Sequence, residues 1–218
     1  MNLPVVQVFA RAPRPGRCKT RLIPALGGRG AARLQTRLLQ QLLAQLAAPG
    51  EWRLELHGAP DAGHAAFLAA RHRHGLRLQR QARGDLGRRM GRAIGQALRR
   101  GAPAVILLGS DCPELAAPTV RAALAALAAE ADTVLVPAVD GGYGLIGSRR
   151  PLRLAGVDWS SGREYQQSRQ RLRQQGLRLR AVGGCADIDT PSDWRRARRE
   201  GRLPGLFGPV PGKGSSRA

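Results

Sequence analysis

The chain has 218 residues, of which 36 are Lys or Arg and 15 are Asp or Glu, so its formal net charge at neutral pH is +21. This length is sufficient for one sizeable α/β domain with its own core. No apolar run approaches the roughly 20 residues of a membrane span, and the N-terminus shows no signal-peptide pattern, so we expect a cytoplasmic protein without a membrane partner. Cys18, Cys112 and Cys185 are far apart, which argues against a disulfide framework.

The strong positive charge would suit a protein that binds nucleic acid. All but two of the basic residues are arginines, however, and they are spread along the whole chain. Aromatic side chains, on which single strands stack, make up only 4% of the residues. We therefore expect that nucleic acid is not the main partner, and we keep a nucleic-acid-binding protein on a degenerate transferase fold as an alternative of another class.

Hydrophobic periodicity predicts alternating strands and helices in the first half of the chain. The predicted order is a strand at 4–10, a basic loop, a helix at 28–50, a strand at 52–58, a helix at 61–75 capped by Asp61, a short strand at 76–80 and a helix at 84–101.

The second half continues this alternation. A strand from Ala104 to Leu108 runs into the turn "GSDCP", and a helix follows at 117–131 with Thr119 as its candidate cap. In "DTVLVPAVDGGYGLIG", a buried strand that contains Val134 is followed by a glycine turn and a second apolar stretch. Next come a polar helix at 161–176, a strand that leads into "DIDTP", and a helix that opens at Pro191. We assign residues 1–200 to one domain and residues 201–218, rich in Gly, Pro and Ser, to a flexible tail.

Strands that alternate with helices imply a three-layer α/β/α domain with a mostly parallel sheet. In such a sheet, the ligand crevice lies outside the carboxyl ends of the strands. The polar turns after the strands that contain Val5, Val105 and Val134 should therefore share one edge of the sheet.

The loop "FARAPRPGRCKTRL" holds five cationic residues and no acidic one. It is not a Walker A loop, because Cys18 stands where the second glycine is required and the first glycine is missing. Backbone N–H groups at a strand-to-helix turn, together with Lys and Arg side chains, nevertheless favour phosphate. A solvated basic loop is the alternative. We expect the contacts to be Lys19 first, then Arg11 and Arg21, on a loop shaped by Gly16.

Carboxylates follow two of the predicted strands. Asp111 ends the strongest strand, and Asp187 and Asp189 lie two residues apart on an extended segment, where side chains at this spacing face the same side. Mg²⁺ prefers one or two carboxylates together with phosphate oxygens. These residues therefore indicate a site for Mg²⁺ or Mn²⁺. The alternatives are an Asp turn at Asp111 and an N-cap of the last helix by Asp189 or Thr190.

Two glycine-containing segments are further candidates. In "DGGYGLIG", Gly141 and Gly142 allow close backbone approach to a ligand, and Asp140 could hold a sugar hydroxyl or support the metal; a plain hairpin turn is the alternative. In "QARGDLGRRM", Gln81 ends a strand, and a glutamine amide can read the edge of a nucleobase.

Taken together, "ARAPRPGRCKTRL … GDLGRRM … GSDCP … DGGYGLIG … DIDTPSD" resembles the bacterial GT-A-like transferases associated with radical-SAM and selenodomain proteins, which include arsenosugar-biosynthesis-type glycosyltransferases. The resemblance spans about residues 4–199. It implies a nucleotide-diphospho-sugar transferase fold of the GT-A type. The wider superfamily includes nucleotidyltransferases that make nucleotide-activated sugars.

Carried over by position, the resemblance completes the predicted site. Together with the residues derived above, we expect the catalytic residues to be Lys19, Asp111 and Asp140, and the metal ligands to be Asp111, Asp189 and Asp187. Nucleotide contacts are expected at Arg11, Gly16, Lys19, Arg21, Gln81, Gly84, Asp85 and Gly87. Substrate contacts are expected at Gly141, Gly142, Tyr143, Trp159 and Ser160. The chain departs from the family pattern at Gly144, where we expect an aromatic residue, and at Gly162, where we expect proline.

We therefore expect a Mg²⁺-dependent glycosyltransferase with a nucleotide-diphosphate-sugar donor and a small-molecule acceptor. The alternative is a nucleotidyltransferase that joins an NTP to a sugar phosphate or similar phosphate and releases pyrophosphate. Both reactions neutralise the charge of a departing diphosphate. Neither needs a protein nucleophile, in agreement with the lack of a clear Ser-His-Asp or Cys-His set.

Overall fold

The computed structural model describes residues 2–47 and 50–203 of the chain. The predicted helix stop at 49–50 lies partly outside these residues, and the predicted tail lies outside them from residue 204 onward. The described elements are β1 (Val5–Arg11), α1 (Ile23–Leu46), β2 (Arg53–Ala59), α2 (Ala65–His74), β3 (Arg77–Arg80), α3 (Leu86–Arg99), β4 (Val105–Gly109), α4 (Ala117–Ala129), β5 (Thr133–Pro137), β6 (Tyr143–Ser148), α5 (Glu164–Gln174), β7 (Leu179–Ala181) and α6 (Pro191–Arg199).

The seven described strands form one sheet in the order β3-β2-β1-β4-β6-β5-β7. Only β6 runs antiparallel to its neighbours β4 and β5; the remaining pairs are parallel. From β1 the chain moves outward through β2 and β3, then returns to place β4 on the other side of β1. This reversal opens a crevice between β1 and β4 at their carboxyl ends.

Two apolar clusters cover the two faces of the sheet. Helices α1, α2 and α4 pack on one face through residues such as Leu42, Phe67 and Leu127. Helices α3 and α5 pack on the other through residues such as Ile94 and Leu172. The predicted α/β fold class, with three layers and a mostly parallel sheet, is confirmed. None of the helices in these ranges is long and apolar enough to cross a membrane.

A third apolar cluster joins α6 to the first half of α1. It includes Leu22, Leu34, Ile188 and Ala197, all fully buried. Leu22 follows the basic loop and Ile188 precedes Asp189 in the chain, so this cluster brings two distant segments together at the carboxyl edge of the sheet.

Two predicted helix caps are wrong. The N-cap of α2 is His64, whose Nδ1 accepts from the Ala66 amide at 3.2 Å, whereas Asp61 accepts from Gly63 N in the preceding turn. Helix α4 begins at Ala117 because Pro118 suits the first turn. Thr119 therefore lies inside the helix, and its hydroxyl donates to the Glu114 carbonyl.

Candidate active site at the carboxyl edge of the sheet

A cleft of about 500 Å³ opens at the carboxyl ends of β1, β2 and β4. Seven of the predicted site residues line it: Arg11, Lys19, Arg21, Gln81, Asp111, Ser160 and Asp189. The lining also includes Phe9, Ala10, Thr20, Gln35, Ala59, Leu86, Arg89, Gly109 and Ser110. The sheet topology thus collects side chains from the basic loop, the "GSDCP" turn and the "DIDTP" segment in one place.

Lys19 lies between two carboxylates. Its Nζ is 2.9 Å from Asp111 Oδ1 and 2.9 Å from Asp189 Oδ1, and it donates to the Ile188 carbonyl at 2.8 Å. These three partners use all three N–H donors of the ammonium group. The Lys19 side chain is only 2% exposed, whereas those of Asp111 and Asp189 are 37% and 44% exposed. In this arrangement Lys19 links the carboxylates and does not project into the cleft as a free cation.

The backbone conformation and the pKa of Lys19 both indicate that its surroundings fix its position. Its φ of 44° is left-handed, a conformation that a residue other than glycine adopts only when its surroundings enforce it. Burial alone would lower the pKa of Lys19, but the carboxylates of Asp111 and Asp189 outweigh burial and raise the pKa overall. The lysine therefore stays charged.

Asp111 is supported from behind by two buried polar side chains. Gln35 of α1 donates to the Ser110 hydroxyl at 2.9 Å, and Ser110 lies at 3.5 Å from Asp111 Oδ1. Gln35 and Ser110 are each 3% exposed. Sequence reasoning missed this pair, because a glutamine within a helical pattern gives no sign that its amide faces a strand end.

Asp187 lies behind the cleft, next to two cysteines. It accepts a hydrogen bond from the Cys112 thiol, whose Sγ is 3.3 Å from that of Cys185. Burial, with the charges of Asp111, Asp140 and Asp189, raises the pKa of Asp187 to about 6 despite the Cys112 hydrogen bond. Asp187 does not line the cleft in the described structure, and its predicted role as a metal ligand stays a prediction.

The donor set at Lys19 fits a hard divalent cation. Oxygens of Asp111 and Asp189 both reach one point, now held by the Lys19 ammonium, and both carboxylates are partly open to the cleft. Two carboxylates with room for phosphate oxygens are typical ligands of Mg²⁺. Thr190, not Asp189, caps α6, so Asp189 is not needed as a cap.

A second donor group consists of Cys112, Cys185 and Asp187, whose ligand atoms lie within 4.8 Å of one another. Contact with the Cys185 sulfur, burial and the Asp187 carboxylate raise the pKa of the Cys112 thiol. A thiol that keeps its proton is a poor metal ligand and a poor nucleophile.

The turn at 140–142 packs against the backbone of Gly162. Asp140 Oδ1 accepts from the Gly142 amide at 2.9 Å, and a Cβ at Gly141 would collide with the Gly162 carbonyl. Gly162 has a φ of 74°, which proline cannot adopt, and this explains the departure from the family pattern there. A Cβ at Gly144 would lie 2.5 Å from Cys185 Sγ, so the glycine makes room for the two cysteines.

Tyr143 and Trp159 pack edge to face with ring centroids 6.3 Å apart, and the Tyr143 hydroxyl accepts from Ser168. Neither lines the cleft, and nor do Asp140, Gly141 or Gly142. Their predicted substrate contacts therefore stay predictions, as does the predicted catalytic role of Asp140.

Gln81 holds an arginine that sequence reasoning missed. Its Nε2 donates to the His57 carbonyl at 2.9 Å, and its Oε1 accepts from Arg89 Nη1 at 2.9 Å. The Gln81 amide is therefore committed to the protein and not free to read a base. Arg89 lies in the first turn of α3 and lines the cleft. The only signal in the sequence was its position in "GDLGRRM".

Three predicted nucleotide contacts shape the backbone around the cleft without lining it. Asp85 is the N-cap of α3 and accepts from the Arg88 amide at 2.7 Å. Gly87 allows α3 to approach the chain at 154–159, since a Cβ there would lie 2.7 Å from the Leu154 carbonyl. Gly16, with a φ of 75°, turns the basic loop. Gly84 lines a second pocket beside the cleft.

The fold and the site define a class, the nucleotide-diphospho-sugar transferase fold. The chain is similar to a crystal structure from Desulfovibrio desulfuricans G20, described as a "putative nucleotide-diphospho-sugar transferase", with a TM-score of 0.82, 29% identity, and coverage of 94% of this chain and 90% of the other. This likeness confirms the predicted fold and the predicted class of enzyme, a transferase.

Two more distant likenesses concern the fold alone. CMP:2-keto-3-deoxy-manno-octonic acid synthetase in complex with CTP gives a TM-score of 0.57 at 14% identity, covering 91% of this chain and 98% of that one. The 4-diphosphocytidyl-2C-methyl-D-erythritol synthase from Anaerococcus prevotii DSM 20548 gives 0.61 at 11% identity, with coverages of 91% and 96%.

The particular family follows from the sequence comparison. A family model described as "Uncharacterized protein conserved in bacteria (DUF2064)" matches residues 42–161, more than half of the chain. The chain therefore belongs to DUF2064. No curated protein sequence matches it.

Proposed function

We propose that this protein transfers the sugar of a nucleotide-diphosphate sugar to a small-molecule acceptor in a reaction that depends on Mg²⁺ or Mn²⁺. The observation that carries the proposal is the cleft at the β1–β4 switch point, where Asp111 and Asp189 meet beside the cationic side chains of Lys19, Arg11 and Arg21. Carboxylates that can bind a metal ion and cations that can bind phosphate oxygens, together at one edge of the sheet, are what a metal-bound diphosphate requires. The likeness to the Desulfovibrio protein supports the same class of substrate.

Each side chain has a distinct task in the proposed reaction. Asp111 and Asp189 would hold the metal ion, which when bound supplies positive charge for the departing nucleoside diphosphate. Lys19 keeps the two carboxylates within reach of one point before the substrate arrives. Arg11 and Arg21 line the cleft and offer guanidinium donors to the diphosphate oxygens, where they stabilise the charge that develops as the acceptor attacks the sugar carbon.

A second candidate function is nucleotidyl transfer, in which a phosphate-bearing acceptor attacks the α-phosphate of an NTP and pyrophosphate leaves. The observation that favours it is a second, arginine-lined pocket continuous with the cleft through Arg11, Ala59, Gln81 and Arg89. This pocket adds Arg14, Arg17, Arg80 and Arg83 to the cationic side chains that line the cleft, and the longer phosphate chain of an NTP would use such additional charge.

The test is to incubate the protein with Mg²⁺ or Mn²⁺, a panel of nucleotide sugars and NTPs, and candidate acceptors. Release of nucleoside diphosphate would support glycosyl transfer, and release of pyrophosphate would support nucleotidyl transfer. If neither is released, and the protein binds nucleic acid tightly with a steep salt dependence but does not bind nucleotides, the nucleic-acid alternative would replace both.

Asp111→Asn should reduce metal-dependent turnover by roughly 100-fold or more, because a neutral amide is a weaker ligand for the cation that would neutralise the departing diphosphate. The matched control is Glu130→Gln, which removes one exposed carboxylate at the far end of α4. Circular dichroism should show that both variants are folded. Wild-type turnover in Asp111→Asn would contradict the proposed metal site.

A further inference from the structure

Beside the cleft lies a pocket of about 430 Å³, which we call the arginine pocket. Six arginines line it, together with Ala12, Ala59, Pro60, Gln81, Ala82 and Gly84: Arg11, Arg14, Arg17, Arg80, Arg83 and Arg89. None of these lining residues is acidic. The pocket shares Arg11, Ala59, Gln81 and Arg89 with the cleft, so one molecule, or two molecules side by side, can occupy both.

Most of the positive charge in the arginine pocket is not neutralised by the protein. Arg14 forms an ion pair with Asp61 at 2.8 Å, and Arg80 Nε donates to the Pro60 carbonyl at 3.0 Å. Within residues 2–47 and 50–203, the guanidinium groups of Arg11, Arg17 and Arg83 have no hydrogen-bond or ion-pair partner.

Arg89 is the best-defined member of the pocket. Its Nη1 donates to Gln81 Oε1 at 2.9 Å, and Gln81 is itself anchored on the His57 carbonyl. Burial and the nearby Arg11 guanidinium lower the pKa of Arg89. Arg89 Nε also donates to the Asp85 carbonyl at 3.4 Å, and the Asp85 carboxylate offsets only part of this lowering of the pKa. An anion that contacts both Arg11 and Arg89 would relieve the repulsion between the two cations.

We propose that the arginine pocket binds a second phosphate-bearing group, separate from the diphosphate at the Lys19 edge; this inference rests on the proposed function, which places a nucleotide in the cleft. Guanidinium groups form bidentate hydrogen bonds with phosphate oxygens. Arg89 and Arg11 line both cavities, and the five N–H donors of Arg11 allow it to contact the diphosphate in the cleft and the second phosphate together. The group is either the phosphate of the second substrate or the terminal phosphates of an NTP. Arg89 is a binding residue, and Gln81 positions it.

A nucleobase in this pocket would need a free amide for its edge or an aromatic ring for its face. The Gln81 amide already donates to the His57 carbonyl and accepts from Arg89, so no free amide reads a base edge. No aromatic side chain is among the lining residues of the pocket, whereas Phe9 lines the neighbouring cleft. The unneutralised guanidinium groups favour an anion.

Isothermal titration calorimetry with inorganic pyrophosphate tests the proposal on the full chain. We expect pyrophosphate to bind the wild type both alone and with saturating nucleoside diphosphate and Mg²⁺. Arg89→Gln should weaken pyrophosphate binding by roughly 10-fold to 100-fold, the loss expected for a charge-assisted hydrogen bond. Arg88→Gln is the matched control, because Arg88 is an exposed neighbour on the same helix that does not line the pocket. If Arg89→Gln fails to fold, Arg83→Gln on the exposed loop should weaken binding by about threefold or more.

Competition experiments identify the source of the phosphate. Pyrophosphate that competes with an NTP but not with a nucleoside diphosphate assigns the pocket to the terminal phosphates of the NTP. Pyrophosphate that competes with neither, but does compete with a sugar phosphate, assigns it to the second substrate. Equal affinity in the Arg89, Arg83 and Arg88 variants, or competition by an unphosphorylated nucleoside, would overturn the proposal. Failure of wild-type protein to bind any nucleotide would instead overturn the proposed function.

Discussion

At the residue scale, Lys19 connects the two halves of the site. Among the five cationic residues of the basic loop, Lys19 is the one whose side chain is buried, and it binds carboxylates that follow different strands. A buried cation stays charged only when opposite charges compensate for its lost hydration, and Asp111 and Asp189 do this here. The exposed Arg11 and Arg21 remain available to a ligand.

Replacing this cation should change both stability and metal binding. Lys19→Met leaves two carboxylates facing each other, so we expect a loss of about 2 kcal/mol, which corresponds to a fall in Tm of about 4–8 °C. Because Mg²⁺ would use the same carboxylates, it should raise the Tm of the variant more than that of the wild type. Thermal unfolding across a Mg²⁺ titration measures both effects.

Arg173→Met serves as the control for this prediction, since Arg173 is an exposed arginine on α5. Its Tm should respond to Mg²⁺ as the wild type does. Equal Mg²⁺ responses in Lys19→Met and wild type would mean that the lysine and the metal do not share ligands.

At the scale of elements, the position of α3 depends on a glycine in its first turn. Gly87 allows its first turn to lie against residues 154–159, and the same turn carries Arg89. The N-cap at Asp85 fixes where the helix begins. The glycine-rich motif therefore determines the position of a cleft arginine through packing.

Two glycines of α3 give a matched pair of tests. Gly87→Ala should destabilise the protein by about 1–3 kcal/mol, because the new Cβ would lie 2.7 Å from the Leu154 carbonyl and 2.9 Å from Trp159. Gly95→Ala should be neutral or stabilising by up to about 1 kcal/mol, because its Cβ meets only the flexible end of Arg99 and alanine favours a helix. Urea unfolding measures both, and equal destabilisation would contradict this account.

At the scale of the whole molecule, four of the fifteen acidic residues lie near one another beside the cleft. Asp111, Asp140, Asp187 and Asp189 are close enough for the other three to raise the pKa of Asp187. A further carboxylate, Glu55, is 4% exposed within the sheet, where it binds Gln7, His57, Gln79 and Arg100. Through these contacts Glu55 connects β1, β2 and β3 with the residue that follows α3.

Glu55 should make stability depend on pH. Burial would raise its pKa, but its hydrogen bonds to His57 and Gln7 and the charge of Arg100 lower the pKa overall. Below about pH 4.3 the unfolded carboxyl takes up a proton that the folded one does not. The stabilising contribution is therefore complete above that pH and is lost as pH falls through the folded pKa.

The experiment compares wild type with Glu55→Gln by chemical denaturation from pH 3 to pH 7. The wild type should be more stable by about 2 kcal/mol near pH 7, and this difference should shrink as the pH falls below about 4.3. A difference that does not vary with pH would show that Glu55 is not held as a carboxylate in the folded protein.

Local pattern was sufficient to predict the six described helices, six of the seven described strands and the edge where the polar turns meet, whereas β6 was predicted only as an apolar stretch. Apolar runs such as Val105–Gly109 are read within a few residues, and parallel strands must end at a common edge. Helix starts were less predictable. Asp61 and Thr119 belong to residue types that cap helices well, but the N-caps of α2 and α4 are His64 and Ala116. The resemblance in the motifs added the fold family, which the comparisons confirm.

The pattern of residues along the chain was enough to predict the layered fold and the gathering of Lys19, Asp111 and Asp189 at one edge of the sheet. The three-dimensional packing was needed to show that Lys19 binds those carboxylates and that the Gln81 amide accepts from Arg89. It was also needed to show that Gly87 and Gly141 lie against backbone carbonyls of other segments. Hydrophobic periodicity is encoded by neighbours in the chain, so it can be read locally. Side-chain partners are chosen by packing between segments far apart in sequence, and no local pattern carries that information.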